Sequence, residues 1–355
     1  MSQEITLIQN YINGEFLNTE NHIFSDNPAT AENHVKIPKS TEKEADLAIS
    51  AAFSAQKAWS KLTPSQRATW IDKIAEEFSK NENLDFFAEK ESEDQGKLLS
   101  YARAADVNAC LGTLKTFSKL VSADVRADTF RQVHFPEEDK RKAICYTNKS
   151  PVGVCTIITP WNYPLYMVIE KLIPCIIYGN TAVVKPSEIT SSTAFHFAKL
   201  LDRINFPKGV VNFLFGQGSD IGNFITTDSR VKAVAFTGSP ATGKIIAQAA
   251  GKTLKKVSLE CGGKNPAIIF EDADFEKAVE LVAKGAFTNN GEICLCMERV
   301  YVEKSIYEKF LKALVEHVKN DWKIGLPNDP LLQQYCDFST TKNSDDFFFR
   351  IKNIS

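Results

Sequence analysis

Short apolar segments alternate with amphipathic segments through the middle of the chain. The apolar segments are rich in β-branched residues and have the length of strands; they occupy 152–158, 181–184, 210–214, 231–236 and 256–259. Apolar residues at helical spacing lie between them, at 163–178, 188–204, 219–227 and 240–250. Strands that alternate with helices indicate an α/β fold with a doubly wound parallel sheet. Ligands of such sheets bind at the carboxyl ends of the strands.

Residues 1–40 have the pattern of strands. Asn13-Gly14 separates the apolar segments 8–12 and 15–17. Asn-Gly is the preferred residue pair for a type I′ turn, whose twist matches that of paired strands. A β-hairpin is therefore predicted here.

A helical layer follows these strands. Thr41 and Glu44 have the spacing of a capping box, and apolar residues then recur at helical spacing. Thr63-Pro64 predicts a second helix, because proline is favoured at the first helical position. Two further helices are predicted at 82–95 and 99–122.

Charged residues crowd the next segment, 126–150. They are Arg126, Arg131, Glu137, Glu138, Asp139, Lys140, Arg141 and Lys142. Apolar residues at Val133 and 143–147 are compatible with an extended hairpin, and a charged surface loop is the alternative.

The alternation of strands and helices continues beyond residue 260. Strands are predicted at 266–270 and 299–303, a helix capped within 272–274, and another helix at 306–320. At 355 residues the chain is long enough for two domains, each with its own core.

Composition bears on which binding partners and which cellular compartment are expected for the chain. The chain has 43% hydrophobic residues and a formal net charge of -2, which is typical of a globular protein and gives no sign of a nucleic-acid partner. No apolar run has the length of a membrane span, so no membrane association is expected. The N-terminus lacks a secretory pattern, and the eight scattered cysteines are expected to be free thiols in a cytoplasmic setting. Cys294 and Cys296 have no second Cys/His pair nearby, so no metal site is expected.

Three polar side chains are candidates for chemistry. Cys294 follows Gly291 by three residues and would be a nucleophile, although a lone cysteine is more often buried and structural. Asn162 stands between two prolines and would donate a hydrogen bond to a developing oxyanion; a turn residue is the alternative. Glu260 precedes two glycines and would be a general base, with a salt bridge to Lys264 as the alternative.

Three segments together resemble the aldehyde dehydrogenase superfamily. They are Ile-Thr-Pro-Trp-Asn-Tyr-Pro-Leu at 158–165, Leu-Glu-Cys-Gly-Gly-Lys at 259–264, and Gly-Ala-Phe-Thr-Asn-Asn-Gly-Glu-Ile-Cys-Leu-Cys-Met-Glu-Arg at 285–299. The resemblance runs from about residue 8 to residue 330. It implies thiohemiacetal formation at Cys294 with Asn162 as the oxyanion donor, hydride transfer to NAD, and hydrolysis of a thioester with Glu260 as the base.

The resemblance also implies an arrangement of domains. A Rossmann-like NAD-binding domain is expected at 1–125 and 151–260, and a partial catalytic domain at 261–330. The segment 126–150 would be an arm that joins subunits into a homo-oligomer.

Two loops and their neighbours are the expected NAD contacts. Lys185, Ser187 and Glu188 open a helix, and glutamate at 188 disfavours the 2′-phosphate of NADP. Thr237, Gly238 and Ser239 precede a second helix, whose N-terminus attracts pyrophosphate. The expected set is completed by Thr159, Pro160, Trp161 and Gly218. A solvated Lys/Glu pair and an ordinary N-cap serine are the alternatives.

The substrate class is expected from the same comparison of motifs. Residues 93–97, 263–267 and 290–296 look most like 2-aminomuconic and hydroxymuconic semialdehyde dehydrogenases, followed by betaine aldehyde dehydrogenases. Ala109 stands where the muconic enzymes have an arginine for the substrate carboxylate. Glu292 replaces a glutamine that is usual in the family, and Cys261 replaces an apolar residue.

The family pattern does not continue after Pro330. Residues 331–355 are therefore expected to be an aberrant tail, and the truncated chain to have impaired turnover. The alternative hypothesis is a non-catalytic protein that binds a dinucleotide.

Overall fold

The computed structural model describes residues 5–122, 130–133, 143–146 and 149–330. The strands, in chain order, are β1 (Thr6–Leu7), β2 (Asn10–Ile12), β3 (Glu15–Leu17), β4 (His22–Asn27), β5 (Glu32–Pro38), β6 (Phe130–Val133), β7 (Ala143–Tyr146), β8 (Val154–Ile158), β9 (Thr181–Lys185), β10 (Val211–Phe213), β11 (Val231–Gly238), β12 (Lys256–Cys261), β13 (Asn265–Ile269) and β14 (Met297–Val302).

Helices surround these strands. They are α1 (Glu42–Lys61), α2 (Pro64–Phe78), α3 (Asn81–Gln95), α4 (Leu99–Tyr101), α5 (Asn108–Ser122), α6 (Pro164–Ile177), α7 (Ser192–Arg203), α8 (Gly218–Thr227), α9 (Pro240–Gly251), α10 (Phe275–Phe287) and α11 (Tyr307–Asp321). A π-helical segment, Ala102–Val107, joins α4 to α5. The helical segment predicted at 99–122 is thus confirmed in its extent, but its π-helical part was not predicted, because hydrophobic spacing does not distinguish an α-helix from a π-helical turn.

The predicted parallel sheet is confirmed and lies at the centre of the fold. Its strand order is β12-β11-β8-β9-β10-β2-β3. The first five strands pair in parallel, β2 pairs antiparallel with β10, and β3 pairs antiparallel with β2. Helices α2, α3, α5, α6 and α7 supply one core, and α1, α8 and α9 supply a second core on the other face. Helices cover both faces of β8 and β9, so these strands are buried, and seven of their ten residues are apolar.

The N-terminal hairpin is confirmed in register and turn. Ile12 pairs with Glu15, and both turn residues have positive φ, 53° at Asn13 and 73° at Gly14. A type I′ turn requires this conformation at both positions. The hairpin extends the sheet on the side of β10.

Both predicted helix starts are also confirmed. Thr41 and Glu44 form a complete capping box at α1, and Thr63 forms another with Gln66 at α2. In each box the side chains satisfy backbone N–H groups that have no partner within the helix.

The chain after β12 forms a smaller unit. Strands β13 and β14 pair in parallel, and α10 and α11 pack on them around Phe287, Phe310 and Leu314. Asp274 accepts a hydrogen bond from Lys277 N and caps α10, as predicted. This unit contributes the segment that contains Cys294.

Within 126–150 the described residues form a pair of strands. Phe130–Val133 and Ala143–Tyr146 are antiparallel, as the hairpin prediction requires. The predicted tail at 331–355 lies outside the described residues. Among the helices that the structure describes, none is long and apolar enough to cross a bilayer.

Asn10 provides a test of how the hairpin is attached to the sheet. Its buried side chain accepts a hydrogen bond from Phe215 N at 2.7 Å and donates one to Ser40 Oγ at 2.8 Å. Asn10→Ala should lower the free energy of unfolding by about 1–3 kcal/mol, because a buried N–H loses its partner. Urea denaturation measures this loss. Asn33→Ala, at an exposed position of β5, should change stability by less than about 0.5 kcal/mol; equal effects of the two substitutions would contradict the assignment.

Candidate active site

A cleft of about 930 Å³ lies at the carboxyl ends of the parallel strands. The loops after β8, β9 and β11 line it, together with the start of α8 and the segment 291–294. Every residue predicted to contact the cofactor lines this cleft: Thr159, Pro160, Trp161, Lys185, Ser187, Glu188, Gly218, Thr237, Gly238 and Ser239. Parallel strands bring these loops together because their carboxyl ends share one edge of the sheet.

Cys294 also lines this cleft and is exposed. Asn289, Asn290 and Gly291 precede it with φ of 51°, 62° and 72°. Successive left-handed residues turn the chain sharply after α10, and asparagine and glycine are the residues that adopt this conformation most readily.

Cys296 has a different environment from Cys294. It is 3% exposed and is absent from the lining of the cleft. Asn265 Nδ2 donates to Cys294 O at 2.6 Å and to Cys296 O at 3.2 Å, so one amide fixes the backbone of both residues. The structure thus separates an accessible thiol from a buried one.

Asn162 is joined directly to the segment that contains Cys294. Its Nδ2 donates to Glu292 O at 2.6 Å. Its main-chain carbonyl oxygen accepts hydrogen bonds from Lys97 Nζ at 3.0 Å and from Asn289 Nδ2 at 3.3 Å. A carboxamide has two N–H donors, so the bond to Glu292 leaves a second N–H for a ligand in the cleft.

Lys97 holds Asn162 from the protein interior. The lysine is 1% exposed, and its Nζ lies 2.7 Å from Asp106 Oδ1 and 4.1 Å from the centre of the Tyr163 ring. Glu91 is 3.9 Å from the same Nζ. Burial, and then the charge of Asp106, raise the pKa of Glu91 well above its usual value. The ammonium therefore lies among two acidic side chains, an aromatic face and the Asn162 carbonyl.

Glu260 lies next to the cleft and does not line it. It is exposed and pairs with Thr237 in the ladder between β11 and β12. Cys261, the next residue, does line the cleft, and successive side chains of a strand point to opposite faces. The salt bridge considered between Glu260 and Lys264 is not the one that Lys264 forms, because Lys264 pairs with Glu298.

Lys185 and Glu188 form the ion pair expected at the end of β9. Lys185 is 3% exposed, and its Nζ donates to Glu188 Oε2 and to Pro186 O, both at 3.0 Å. Burial lowers the pKa of Lys185. Burial alone would raise the pKa of Glu188, but the charge of Lys185 together with hydrogen bonds from Lys185 and from backbone N–H groups lowers it. The alternative of a solvated pair is wrong, because the ammonium is buried.

The cleft has features that suit a dinucleotide. The hydroxyl Oγ1 atoms of Thr159 and Thr237 are buried, and neither has a hydrogen-bond partner among the residues that the structure describes. Ser239 caps α9, so the serine alternative is correct for this side chain, and the helix still presents its N-terminus to the cleft. An anion at this position would be stabilised by the helix dipole.

Three residues of the site had no predicted role. Gln95 Nε2 donates to Glu292 Oε2 at 2.7 Å, Lys97 supports Asn162, and Asn265 holds the segment 294–296. Gln95 and Lys97 belong to the motif at 93–97. A charged residue directly after Gly96 is the feature of the sequence that indicates a role for Lys97. Their partners are distant in sequence, so no local pattern assigns these contacts.

Comparisons with known proteins agree with one another. Residues 16–335 match the model of the aldehyde dehydrogenase family. The human 2-aminomuconic semialdehyde dehydrogenase is 39% identical over 328 residues, which are 92% of this chain and 65% of that protein. The mouse protein of the same name has the same identity and coverage. The chain thus spans about 65% of the length of these curated relatives.

Solved structures give the same result. Betaine aldehyde dehydrogenase from Staphylococcus aureus, in complex with NAD+, superimposes with a TM-score of 0.85 and 33% identity over 95% of this chain and 65% of that one. Lactaldehyde dehydrogenase from Escherichia coli has a TM-score of 0.86 and 32% identity, over 95% of this chain and 68% of that one.

Lys97→Met tests whether the buried ammonium holds this side of the cleft. The substitution keeps the apolar stem and leaves Asp106 buried without its cation, so the free energy of unfolding should fall by about 3–5 kcal/mol. Chemical denaturation monitored by tryptophan fluorescence measures the change. Lys57→Met, at an exposed position of α1, is the matched control and should stay within about 0.5 kcal/mol of the unaltered chain. A Lys97→Met variant as stable as this control would exclude the role.

Proposed function

The chain belongs to the aldehyde dehydrogenase family, and we propose that it oxidises an aldehyde to a carboxylic acid with NAD as the cofactor. The observation that carries the proposal is the position of Cys294 and Asn162, which line one cleft together with all the residues expected to contact NAD. The bond between Asn162 Nδ2 and Glu292 O joins the amide to the segment that contains the thiol.

Binding of NAD is proposed for the loops after β8, β9 and β11. Lys185 and Glu188 would hold the adenosine ribose, and the N-termini of α8 and α9 would face the pyrophosphate. Buried hydroxyls of Thr159 and Thr237 offer further donors. When bound, the nicotinamide supplies the hydride acceptor of the reaction.

Cys294 is the proposed nucleophile. Its thiolate attacks the carbonyl carbon of the aldehyde, and the carbonyl oxygen acquires negative charge as the thiohemiacetal forms. The free N–H of Asn162 would donate to that oxygen. One such donor lowers the activation free energy by about 2.7–4 kcal/mol. Lys97 and Asn289 hold the backbone of Asn162 through its main-chain carbonyl oxygen, and the bond from Nδ2 to Glu292 O orients its side-chain amide.

Glu260 is the proposed base for hydrolysis of the thioester. The carboxylate would accept a proton from the attacking water, and the Cys294 thiolate would then leave. Glu260 lies one residue from Cys261, which lines the cleft, and Gly262 and Gly263 line it after that. Rotation of the exposed Glu260 side chain toward the cleft is the movement that this role requires.

A semialdehyde is the proposed class of substrate. Two relatives that are 39% identical are named for 2-aminomuconic semialdehyde. Ala109, in the first turn of α5, carries no charge. The carboxylate of such a substrate would therefore need another group to bind it.

Assembly and location extend the proposal. The strand pair β6–β7 would join subunits of a homo-oligomer. The free thiols of the described cysteines favour the reducing cytoplasm.

A second candidate function is dinucleotide binding without turnover. The position of Glu260 outside the cleft lining favours it, since thioester hydrolysis lacks a base in this arrangement. Calorimetry with NAD and a spectrophotometric assay for NADH, performed on the same preparation of residues 1–355, distinguish the two candidates. Aldehyde-dependent formation of NADH well beyond one equivalent per chain supports the enzyme; NAD binding with no more than one equivalent of NADH supports the binding protein.

Cys294→Ala tests the nucleophile. Turnover should fall by at least about 10³-fold, because the covalent step is lost, while NAD affinity measured by calorimetry should be retained. Cys296→Ala is the matched control, since that thiol is buried outside the cleft, and its turnover should be of the same order as that of the unaltered chain. Loss of turnover in the control alone would transfer the role to Cys296.

Glu188→Gln tests the choice of NAD over NADP. The carboxylate repels the 2′-phosphate, and its removal should lower the preference for NAD by about tenfold, or 1.4 kcal/mol. Calorimetry with each dinucleotide measures the ratio of affinities. Asp220→Asn, an exposed acid of α8 outside the cleft lining, should leave the ratio unchanged. An unchanged ratio in Glu188→Gln would remove Glu188 from cofactor selection.

A further inference from the structure

Two cysteines outside the cleft contact each other across the first βα unit. Cys155 lies in β8, and Cys175 lies near the end of α6. Their thiols are hydrogen-bond partners, and both are free. Both residues line a surface pocket of about 210 Å³, so solvent reaches the pair from a side different from the cleft.

Asn180 fixes the distance between the two backbones. Its Oδ1 accepts from Val152 N at 2.7 Å and from Gly153 N at 3.1 Å, just before Cys155. Its Nδ2 donates to Cys175 O at 3.0 Å, and its own N–H donates to the same oxygen at 3.2 Å. One side chain thus ties both cysteine segments together.

The two thiols differ in acidity. The hydrogen bond from Cys175 lowers the pKa of Cys155, although burial opposes this effect. The same hydrogen bond, and then burial, raise the pKa of Cys175. A thiolate is the nucleophilic form of cysteine, so Cys155 is the member of the pair that reacts first and Cys175 the one that follows.

We propose that Cys155 and Cys175 are a redox-active dithiol site that a peroxide converts into a disulfide. The Cys155 thiolate attacks one peroxide oxygen, the O–O bond breaks, and a sulfenic acid and water are formed. The Cys175 sulfur then attacks the Cys155 sulfur and releases a second water. The two thiols lose two electrons and two protons in total, and hydrogen peroxide is reduced to two molecules of water.

The disulfide would connect both ends of one structural unit. The segment between the cysteines contains the remainder of β8, the loop with Thr159 and Asn162, and nearly all of α6. A covalent bond there restricts the unfolded chain and thereby stabilises the unit. The site is thus distinct from the chemistry proposed for Cys294.

Peptide mapping of the full chain after treatment with hydrogen peroxide tests the proposal. Non-reduced digests should contain a Cys155–Cys175 linked peptide that disappears with dithiothreitol, and the thermal unfolding midpoint should rise on oxidation. In Cys175→Ala the linked peptide should be absent, and dimedone should label Cys155 as a sulfenic acid. The rise in the midpoint should also disappear in that variant.

Cys110→Ala is the control, because Cys110 is a fully buried thiol distant in sequence from the pair. It should keep both the linked peptide and the rise in midpoint. Oxidation confined to Cys294 or Cys261, or a link between Cys294 and Cys296 without a Cys155–Cys175 link, would overturn the proposal. Circular dichroism before and after treatment confirms that the linked peptide derives from folded protein.

Discussion

A buried ammonium group is the interaction on which the candidate site depends. Lys97 Nζ lies 2.7 Å from Asp106 and 3.0 Å from the Asn162 carbonyl, inside the protein. A charge at this depth is stable only with a close counterion and satisfied hydrogen bonds. The helical layer supplies the counterion, and the loop after β8 supplies the acceptor. The position of Asn162 therefore follows from the helical layer as much as from the sheet.

Hydrogen bonds to Glu292 link the smaller unit, which contains Cys294, to the larger one. Glu292 accepts from Asn162 through its backbone and from Gln95 through its side chain. The smaller unit, which has its own core around Phe310, is attached to the larger one at the point where the cleft is lined from both sides. Residues that bind the proposed cofactor belong to the sheet, whereas Cys294 arrives from the smaller unit.

Much of this arrangement follows from sequence, because periodicity and turn chemistry are local. The βα alternation, the Asn13-Gly14 turn and the caps at Thr41 and Thr63 are determined by neighbouring residues. The loops of the cleft follow from the parallel sheet. The π-helical segment and the contacts of Lys97 depend on partners from distant segments, which hydrophobic spacing does not report. The roles expected for Cys294, Asn162 and Glu260 rest on family motifs. Such motifs do not report where a side chain points, so they do not predict that Glu260 is exposed beside the cleft.

The hydrogen bond between Asn162 and Glu292 has a consequence for folding during synthesis. Its partners are separated by 130 positions in the chain, and those of the Gln95–Glu292 bond by 197. Contacts of such separation carry a high cost in loop closure and form late. Because a ribosome adds residues from the N-terminus, the sheet with its flanking helices is synthesised before residue 292 exists. The nascent polypeptide therefore holds an organised cofactor side while the amide of Asn162 still lacks its acceptor, and the cleft is completed only when the later segment docks.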